Sequence, residues 1–391
     1  MPHHHIRRMA HTAAAAPLLL AATALPATAH AAMEAPEDPS SHEIWALDQG
    51  TNKIHIYDAN HERVDEIDLG FYGVEVPHMI AVNSTHEYAA IASTASGDVT
   101  IMRTEDRKVV DIIETGPRTH MASFTPDDSA IIVDVIGSPD EQWDGEIVEL
   151  SADLENERFS KALGRSLTIA DDPLFADNRE HFEDSGPICH EYGPGGEHAF
   201  ITLGPALDAG GLVVLNTESL ELDHVFGVDE LPVNCGTVPN SDRSEMMLTA
   251  GSGEVGHWYV LDTETMEVVS EGDSEGIDAH GAWLKPDGSE FWLVNRVSDD
   301  GIVIDAETHE ITDRFDEVGG TPDIMAFDPA GEYVYISLRG PDPVSAAHVA
   351  EGDTPGFSVL NTSDGSLEEV IQPDADNPDS DFHGIAVRYI P

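Results

Sequence analysis

The sequence predicts an all-β protein, a seven-bladed β-propeller built from four-stranded blades. Three observations predict this fold: a repeat of about 45 residues that has the pattern of paired β-hairpins, the lack of sustained helical periodicity, and two end segments that together complete one blade. A repeat of this length with four strands is typical of a propeller blade. The chain contains 391 residues.

The repeat is carried by one recurring class of segment: an alternating apolar run, a polar turn and a second alternating run, as in WYVLDTETMEVV. This pattern is typical of a β-hairpin. A second kind of hairpin, such as HGAWLKPDGSEFWLV, lies before these segments and has Pro-Asp-Gly turn chemistry. The turn positions of the first class, spaced 43 to 66 residues apart, are Asp58, Arg103, Leu150, Asn216, Asp262, Asp305 and Asn361.

The two ends of the repeat region favour closure of the ring. The segment EIWALDQGTNKIHIYDANHERVDEIDL supplies three strands, and HGIAVRYI supplies the missing innermost strand. Pairing these segments removes the open sheet edges. We therefore expect a single domain over residues 43–391. Two long excursions, at 151–187 and 341–355, are predicted to be surface loops or lids.

The residues before the repeat predict export. Arg7 and Arg8, the apolar run TAAAAPLLLAATAL and the small residues around Ala29 have the form of a secretory signal peptide over residues 1–31. Residues 32–42 are predicted to be a disordered acidic linker. Because no later segment is long and apolar enough for a transmembrane helix, we expect a soluble, monomeric mature protein outside the cytoplasm, periplasmic or secreted.

The charge of the chain excludes two classes of partner. Lysine and arginine number 18 against 75 aspartates and glutamates, which gives a net charge of −57. Such a chain repels nucleic acid and anionic membrane surfaces. Because the acidic residues are interleaved with apolar strands, we interpret the charge as that of a folded protein from a high-salt habitat, where carboxylates are screened.

The repeat resembles the YVTN-type β-propellers, including YncE-like proteins and relatives of the cytochrome d1 and lactonase propellers. The resemblance is carried by HGAWLKPDGSEFWLVNR with WYVLDTETMEVV, and by TPDIMAFDPAGEYVYISLRG with FSVLNTSDGSLEEVI, and it covers residues 43–390. It implies the propeller fold. It does not imply one activity, because propellers support many chemistries.

A column of potential metal ligands appears when the repeats are aligned on their opening hairpin. For the fourth blade, either Cys189 or His190 fits the column, and we choose His190. Histidine is about 4 % of the mature chain, so seven equivalent positions should hold roughly 0.3 histidines by chance. In ring order from the blade that joins both ends, the column is His383, His78, His120, His190, Cys235, His280 and Asp323.

The position and chemistry of this column predict a transition-metal site. The first strand of each blade lines the central channel, so these side chains should form a ring at the channel mouth. Imidazole, thiolate and carboxylate bind zinc, and imidazole also binds copper. We expect a zinc or copper ion on neighbouring members of the run from His383 to His190, with the other three residues as a second site or an outer shell.

Three alternatives to this metal site stay open. Histidines at strand starts also serve as structural hydrogen-bonding residues. The column could also bind an organic ligand or act in catalysis. Two cysteines in an oxidising compartment suggest a disulfide between Cys189 and Cys235, which would remove Cys235 from the ring.

Three functions are compatible with these features. The first is a metal-binding propeller. Its column is similar to that of periplasmic zinc metallochaperone propellers, which implies delivery to a transporter's binding protein, although the mature chain has no histidine-rich tail. The second is an enzyme, either a metal-dependent oxidoreductase or a lactonase-like hydrolase. GPRTHMASFTPD is similar to a lactonase turn, with Thr119 between Arg118 and His120. The third is a non-catalytic interaction scaffold.

Overall fold

A computed structural model of the chain shows seven four-stranded antiparallel sheets, as predicted. The structure describes residues 41–390 except 183–184, 205–206, 208–209, 235 and 347–350, and it does not describe the side chains of 162–164. The predicted signal peptide and residues 32–40 of the predicted linker therefore lie outside the described residues. The last residue of that linker, His42, is the first residue of a strand.

The strands follow one another around the ring blade by blade. Blade one contains β1 (His42–Asp48), β2 (Lys53–Asp58), β3 (Arg63–Asp68) and β28 (Phe382–Tyr389). Blade two contains β4 (Pro77–Val82), β5 (Tyr88–Ser93), β6 (Asp98–Arg103) and β7 (Lys108–Glu114), and blade three contains β8 (Thr119–Phe124), β9 (Ala130–Val135), β10 (Glu146–Asp153) and β11 (Arg158–Thr168). Blade four contains β12 (Gly186–Tyr192), β13 (His198–Gly204), β14 (Gly211–Asn216) and β15 (Glu221–Phe226), and blade five contains β16 (Thr237–Pro239), β17 (Glu245–Ala250), β18 (His257–Asp262) and β19 (Val268–Asp273). Blade six contains β20 (Ala279–Leu284), β21 (Glu290–Asn295), β22 (Asp300–Asp305) and β23 (Ile311–Asp316), and blade seven contains β24 (Pro322–Phe327), β25 (Tyr333–Leu338), β26 (Gly356–Asn361) and β27 (Leu367–Ile371).

The ring closes through blade one, which joins both ends of the sequence. Its strand order is β28-β1-β2-β3, so the predicted closure is confirmed. The Asp48 carboxylate, at the end of β1, accepts hydrogen bonds from the Asp381 backbone N–H at 2.9 Å and from the Ser380 hydroxyl at 2.8 Å. Each innermost strand also contacts the innermost strands of both neighbouring blades. The seven innermost strands therefore surround one axis.

The core lies between neighbouring blades. The middle strands are buried on both faces because a blade covers each side, and all six residues of β5 are buried. In the first interblade cluster, Trp45 and Ile54 of blade one pack with Ile91 of blade two. The outermost strands are solvated, and β3 has no buried residue.

The excursion predicted as a loop at residues 151–187 is instead structured. It contains the end of β10, all of β11, the helix α1 (Pro173–Asn178) and two short 3-10 helices, Ile169–Asp171 and Arg179–His181. Phe175 of α1 is fully buried and packs with Phe182 in the core cluster of blades three and four. α1 also contacts β15. The prediction of a loop was wrong because it relied on the Asp, Pro and Gly content and overlooked these apolar anchors.

Among the residues that the structure describes, no helix has the length and apolar character that crossing a membrane requires.

Candidate metal-binding site at the channel mouth

Five of the seven predicted ligands lie at β-bulges near the beginning of the innermost strands. His78 occupies an interruption in the pairing of β4 with β5, and His120 occupies the same position in β8. His280, Asp323 and His383 lie in equivalent interruptions of β20, β24 and β28. A bulge turns a side chain away from the regular pleat. The four histidines consequently line one cavity at the channel mouth.

Two glycines allow the innermost strands to approach each other closely at this point. Gly384 follows His383, and a Cβ atom at Gly384 would lie 2.6 Å from the carbonyl oxygen of His78 on the next blade. Gly281 follows His280, and its Cβ atom would lie 2.1 Å from the carbonyl oxygen of Asp323. Any larger residue would push the neighbouring blades apart. The two His-Gly pairs are thus a packing requirement of the site.

Five donors from five consecutive blades form a continuous arc, which we call the donor arc. In ring order it consists of His280, Asp323, His383, His78 and His120. His280 Nε2 lies 2.7 Å from Asp323 Oδ1, and His383 Nε2 lies 3.7 Å from Asp323 Oδ2. The rings of His383 and His78 stack with centroids 3.6 Å apart, and the Nε2 atoms of His78 and His120 are 3.0 Å apart. Single donor atoms of His280, Asp323 and His383 all lie within 4.8 Å of one another.

Gln49 fixes the tautomer of His78. Its amide nitrogen donates to Asp381 Oδ2 at 2.9 Å, and that carboxylate also accepts from Arg339 and from the backbone of Val344. The amide oxygen of Gln49 therefore faces His78 Nδ1, at 2.8 Å. Because this oxygen can only accept, Nδ1 of His78 carries the proton. The neutral ring then has a lone pair on Nε2.

His120 and His383 have the same tautomer for the same reason. Nδ1 of His120 donates to the carbonyl oxygen of Ile188 at 2.8 Å, and Nδ1 of His383 donates to the carbonyl oxygen of His78 at 3.1 Å. A histidine that ligates a metal through one nitrogen usually donates its other N–H to such an oxygen. All three neutral rings thus present an Nε2 lone pair to the donor arc.

These three rings are neutral at physiological pH. Burial lowers the pKa of His78 well below its usual range, and the neighbouring His383 and His120 lower it further. Burial likewise lowers the pKa of His383 well below its usual range and that of His120 to about 4. The facing Nε2 atoms of His78 and His120 therefore have no proton to share.

Asp323 is the anionic member of the donor arc. Burial alone would raise its pKa, but His383, His280, Arg339 and Arg296 lower it well below the usual range. Because His383 is itself neutral at physiological pH, we assign the low pKa of Asp323 at that pH to the two arginines. Arg339 Nη1 donates to Asp323 Oδ2 at 2.7 Å. Asp323 Oδ1 is fully buried beside two basic groups, with His280 Nε2 at 2.7 Å and Arg296 Nη1 at 3.5 Å.

His190 does not belong to the donor arc. Its Nδ1 lies 2.7 Å from Asp134 Oδ2, and its Nε2 lies 2.7 Å from the Ser123 hydroxyl, so both nitrogens are used inside blades three and four. Burial would lower the pKa of His190, but Asp134 raises it. The bulge of β12 falls on Ile188, between the paired residues Pro187 and Cys189. The alignment of blade four was wrong by two residues, and an apolar side chain takes the place of a ligand.

The structure does not decide between a disulfide and a metal-binding thiolate for the two cysteines. Cys189 is buried and lines the cavity. Cys235 lies outside the described residues, so both the disulfide and a thiolate ligand stay predictions.

The cavity above the donor arc has a volume of about 350 Å³. Part of its wall is the described end of the second excursion, Val344 to Ala346. Arg339 holds this segment by donating to the carbonyl oxygen of Ser345 at 2.8 Å, and Gln49 donates to the Ser345 hydroxyl at 3.0 Å. The predicted excursion 341–355 thus reaches the mouth of the channel.

Sequence reasoning missed the residues that support the donor arc. Gln49, Arg296 and Arg339 each follow directly the second strand of a blade, and Asp278 and Asp381 each directly precede an innermost strand. Arg296 Nε donates to Asp278 Oδ2 at 2.7 Å, and Arg339 Nε donates to Asp381 Oδ1 at 2.7 Å. Aligning the repeats on these two positions, as was done for the histidines, would have shown the pattern.

Comparisons with known proteins support the fold. No protein-family model matches the chain, and no curated protein sequence matches it. Solved structures do match, and one of them is Kuenenia stuttgartiensis hydrazine synthase. That match has a TM-score of 0.64 and 13 % sequence identity, and it covers 83 % of this chain and 94 % of the other. At this identity the likeness shows a shared propeller fold and nothing about activity.

Proposed function

We propose that this chain is a YVTN/YncE-like propeller of the extracytoplasmic space that binds a zinc or copper ion on the donor arc. The observation that carries the proposal is the pair of facing Nε2 atoms of His78 and His120, 3.0 Å apart with both Nδ1 atoms already donating. Two lone pairs at this distance repel each other unless a cation lies between them. The low pKa of both rings disfavours a proton as that cation.

The distance between these atoms suits a metal ion. With metal–nitrogen bonds of about 2.0–2.1 Å, an Nε2 separation of 3.0 Å corresponds to a ligand–metal–ligand angle of roughly 95°. His383 stacks on His78 and continues the arc, and its donor atom lies within 4.8 Å of donor atoms of His280 and Asp323. Asp323 supplies the anionic oxygen of the site. Imidazole with carboxylate suits Zn²⁺ or Cu²⁺ better than the soft Cu⁺ ion.

The state of the apoprotein also favours metal binding. Metal ligands must be deprotonated, and protons normally compete for them. Here burial keeps the three imidazoles neutral, and the arginines keep Asp323 ionised. A metal ion therefore displaces no proton from these four side chains at neutral pH.

Delivery of the ion is the second part of the proposal. The similarity of the histidine column to metallochaperone propellers implies a transporter's binding protein as the acceptor. The geometry is compatible with transfer, because the histidines open onto a single cavity at the channel mouth. Incubating the zinc-loaded chain with a competing chelator of known affinity would measure whether the ion leaves on a timescale that delivery requires.

The test of metal binding uses residues 32–391 without a tag, because His3, His4 and His5 would bind metal themselves. The protein is incubated with zinc or copper, desalted and analysed for metal. We expect about one ion per chain, lost in a His78→Ala/His120→Ala variant. The matched control is His198→Ala/His257→Ala, since these rings lie at the surface beside Asp223 and Asp273.

Circular dichroism and the unfolding midpoint establish that each variant is folded. If the double variant does not fold, the single His120→Ala variant replaces it, because the His120 ring is partly exposed to the cavity. A native chain that binds neither metal, or a folded site variant that retains the ion, contradicts the proposal.

A further inference from the structure

We propose that the cavity beside the donor arc binds a small organic anion, a monocarboxylate with a short apolar body, at an open coordination position of the metal ion. This inference rests on the proposed metal site and extends it from a bound ion to a class of ligand. Three observations carry it: the size of the cavity, the chemistry of its walls and the charge balance of the site.

The cavity is large enough for a molecule beyond water. Its volume of about 350 Å³ lies in the range of small-molecule sites, which begins at roughly 300 Å³. An apolar cavity of about 150 Å³ accommodates benzene. The space above the donor arc therefore accepts a ring-sized body together with a carboxylate group.

The walls of the cavity are mostly apolar. Blade three contributes Ile136, blade four Ile188, blade seven Ile324 and the second excursion Val344. Ile188 occupies the bulge position that carries a donor in five other blades, so the donor arc faces an apolar side. A site that only admitted a hydrated ion would gain nothing from such walls, because they offer water no hydrogen bonds. They suit the hydrocarbon part of a ligand.

The charge of the site favours an anion once metal is bound. The cavity lining and the ion pairs directly behind it contain three arginines and three aspartates, so their formal charges cancel. A divalent ion would leave two uncompensated positive charges in a largely buried site, and burial makes an unpaired charge costly. A carboxylate that binds the metal removes part of this excess. The six residues are Arg118, Arg296, Arg339, Asp278, Asp323 and Asp381.

The location of Arg118 gives the anion a second attraction. Arg118 lines the cavity immediately before β8, and its Nε donates to the carbonyl oxygen of Gly137 at 2.6 Å. This bond holds the guanidinium group at the mouth. In a chain of net charge −57, a fixed cation there attracts an anion that the rest of the surface repels.

The experiment uses the mature chain loaded with cobalt(II), which reports a new ligand through its visible absorption. Benzoate, acetate and benzamide are titrated into the cobalt-loaded protein, and calorimetry repeats the titrations with the zinc-loaded and metal-free proteins. We expect benzoate to bind at least tenfold more tightly than acetate, because acetate lacks the apolar body. We also expect benzoate to bind at least tenfold more tightly than benzamide, which lacks the charge. Benzoate should bind the metal-free protein at least tenfold more weakly than the metal-loaded protein.

Two variants test the walls and the charge separately. Ile188→Phe fills the cavity but keeps the backbone carbonyl that fixes His120, so benzoate affinity should fall at least tenfold while metal content stays unchanged. Arg118→Gln should lower the affinities for benzoate and for acetate several-fold, and by the same factor. Arg63→Gln, the same substitution at an exposed position of the outermost strand β3, should weaken the binding of neither.

The outcomes distinguish the two proposals. A chain that binds one metal ion but shows no anion-dependent spectral change overturns this inference and leaves the metal site standing. Equal affinity for benzoate and acetate, or for the loaded and the metal-free protein, also overturns it. A chain that binds no metal overturns the proposed function first and this inference with it.

Discussion

Replacing Gln49 by alanine should weaken metal binding without removing any ligand. Gln49 is fully buried and forms a hydrogen bond with Nδ1 of His78 in the donor arc, at 2.8 Å. The substitution removes the oxygen that fixes the His78 tautomer. The ring can then protonate on Nε2, where the metal ion should bind, and it can rotate.

The size of the effect follows from the role of such supporting hydrogen bonds. Removing the partner of a metal-ligating histidine typically costs 10- to 100-fold in metal affinity. This corresponds to about 1.4–2.7 kcal/mol. We expect the upper half of this range, because Gln49 also donates to Asp381 and Ser345, and both bonds restrain its amide orientation.

Competition with a chromophoric chelator at pH 7.5 measures the zinc affinity of the native chain and of Gln49→Ala. The matched control is Gln372→Ala, which lies directly after the outermost strand β27, away from the channel. Denaturant unfolding of the metal-free proteins separates a loss of affinity from a loss of fold. Native-like zinc affinity, within a factor of two, in a folded Gln49→Ala variant would refute the reasoning.

Three further predictions concern stability. Arg339→Met removes the cation that donates to both Asp323 and Asp381, two buried carboxylates, and should lower the unfolding free energy by about 3–5 kcal/mol in denaturant titrations. A loss below about 1 kcal/mol would contradict the ion-pair assignment. The pKa of His120 is about 4 in the folded state against about 6.5 in the unfolded chain, so the unfolded chain takes up the proton first as pH falls. The metal-free protein should therefore lose stability between pH 6.5 and 4, by at most roughly 3 kcal/mol from this ring, since one edge of the ring faces the cavity. The same pH series on His120→Ala should show a smaller slope, and an equal slope would argue against this assignment. Gly384→Ala places a Cβ atom 2.6 Å from the carbonyl oxygen of His78, so we expect a loss of about 1–3 kcal/mol and weaker zinc binding; an unchanged unfolding midpoint would show that the blades can separate there at no cost.

The fold was predictable because its signal is repeated. Alternating apolar runs and polar turns recur seven times, so an error in one repeat does not change the architecture. The closure of the ring followed from three strands at one end of the sequence and one at the other. The extra length of the third repeat did not show that its excursion packs against the core. The buried side chain of Phe175 was overlooked for that reason.

The site was predictable only where the blades keep the same register. His78, His120, His280 and His383 lie at equivalent bulges, so a simple alignment brought them together. In blade four, His190 lies two residues beyond the bulge, and a hairpin alignment cannot show where an extra residue is inserted. The ion pairs of Arg339 were hidden for another reason, since 75 acidic residues offer too many partners for any arginine.

The joining of both ends in blade one also determines when the site can exist. His78 and His383 are stacked in the structure, yet 305 residues separate them along the polypeptide. A nascent chain that has not yet released β28 from the ribosome has neither a closed ring nor a complete donor arc. The metal site that we propose can therefore form only after synthesis has passed residue 383, and a product truncated before that point would leave an edge of blade one unpaired and lack a donor.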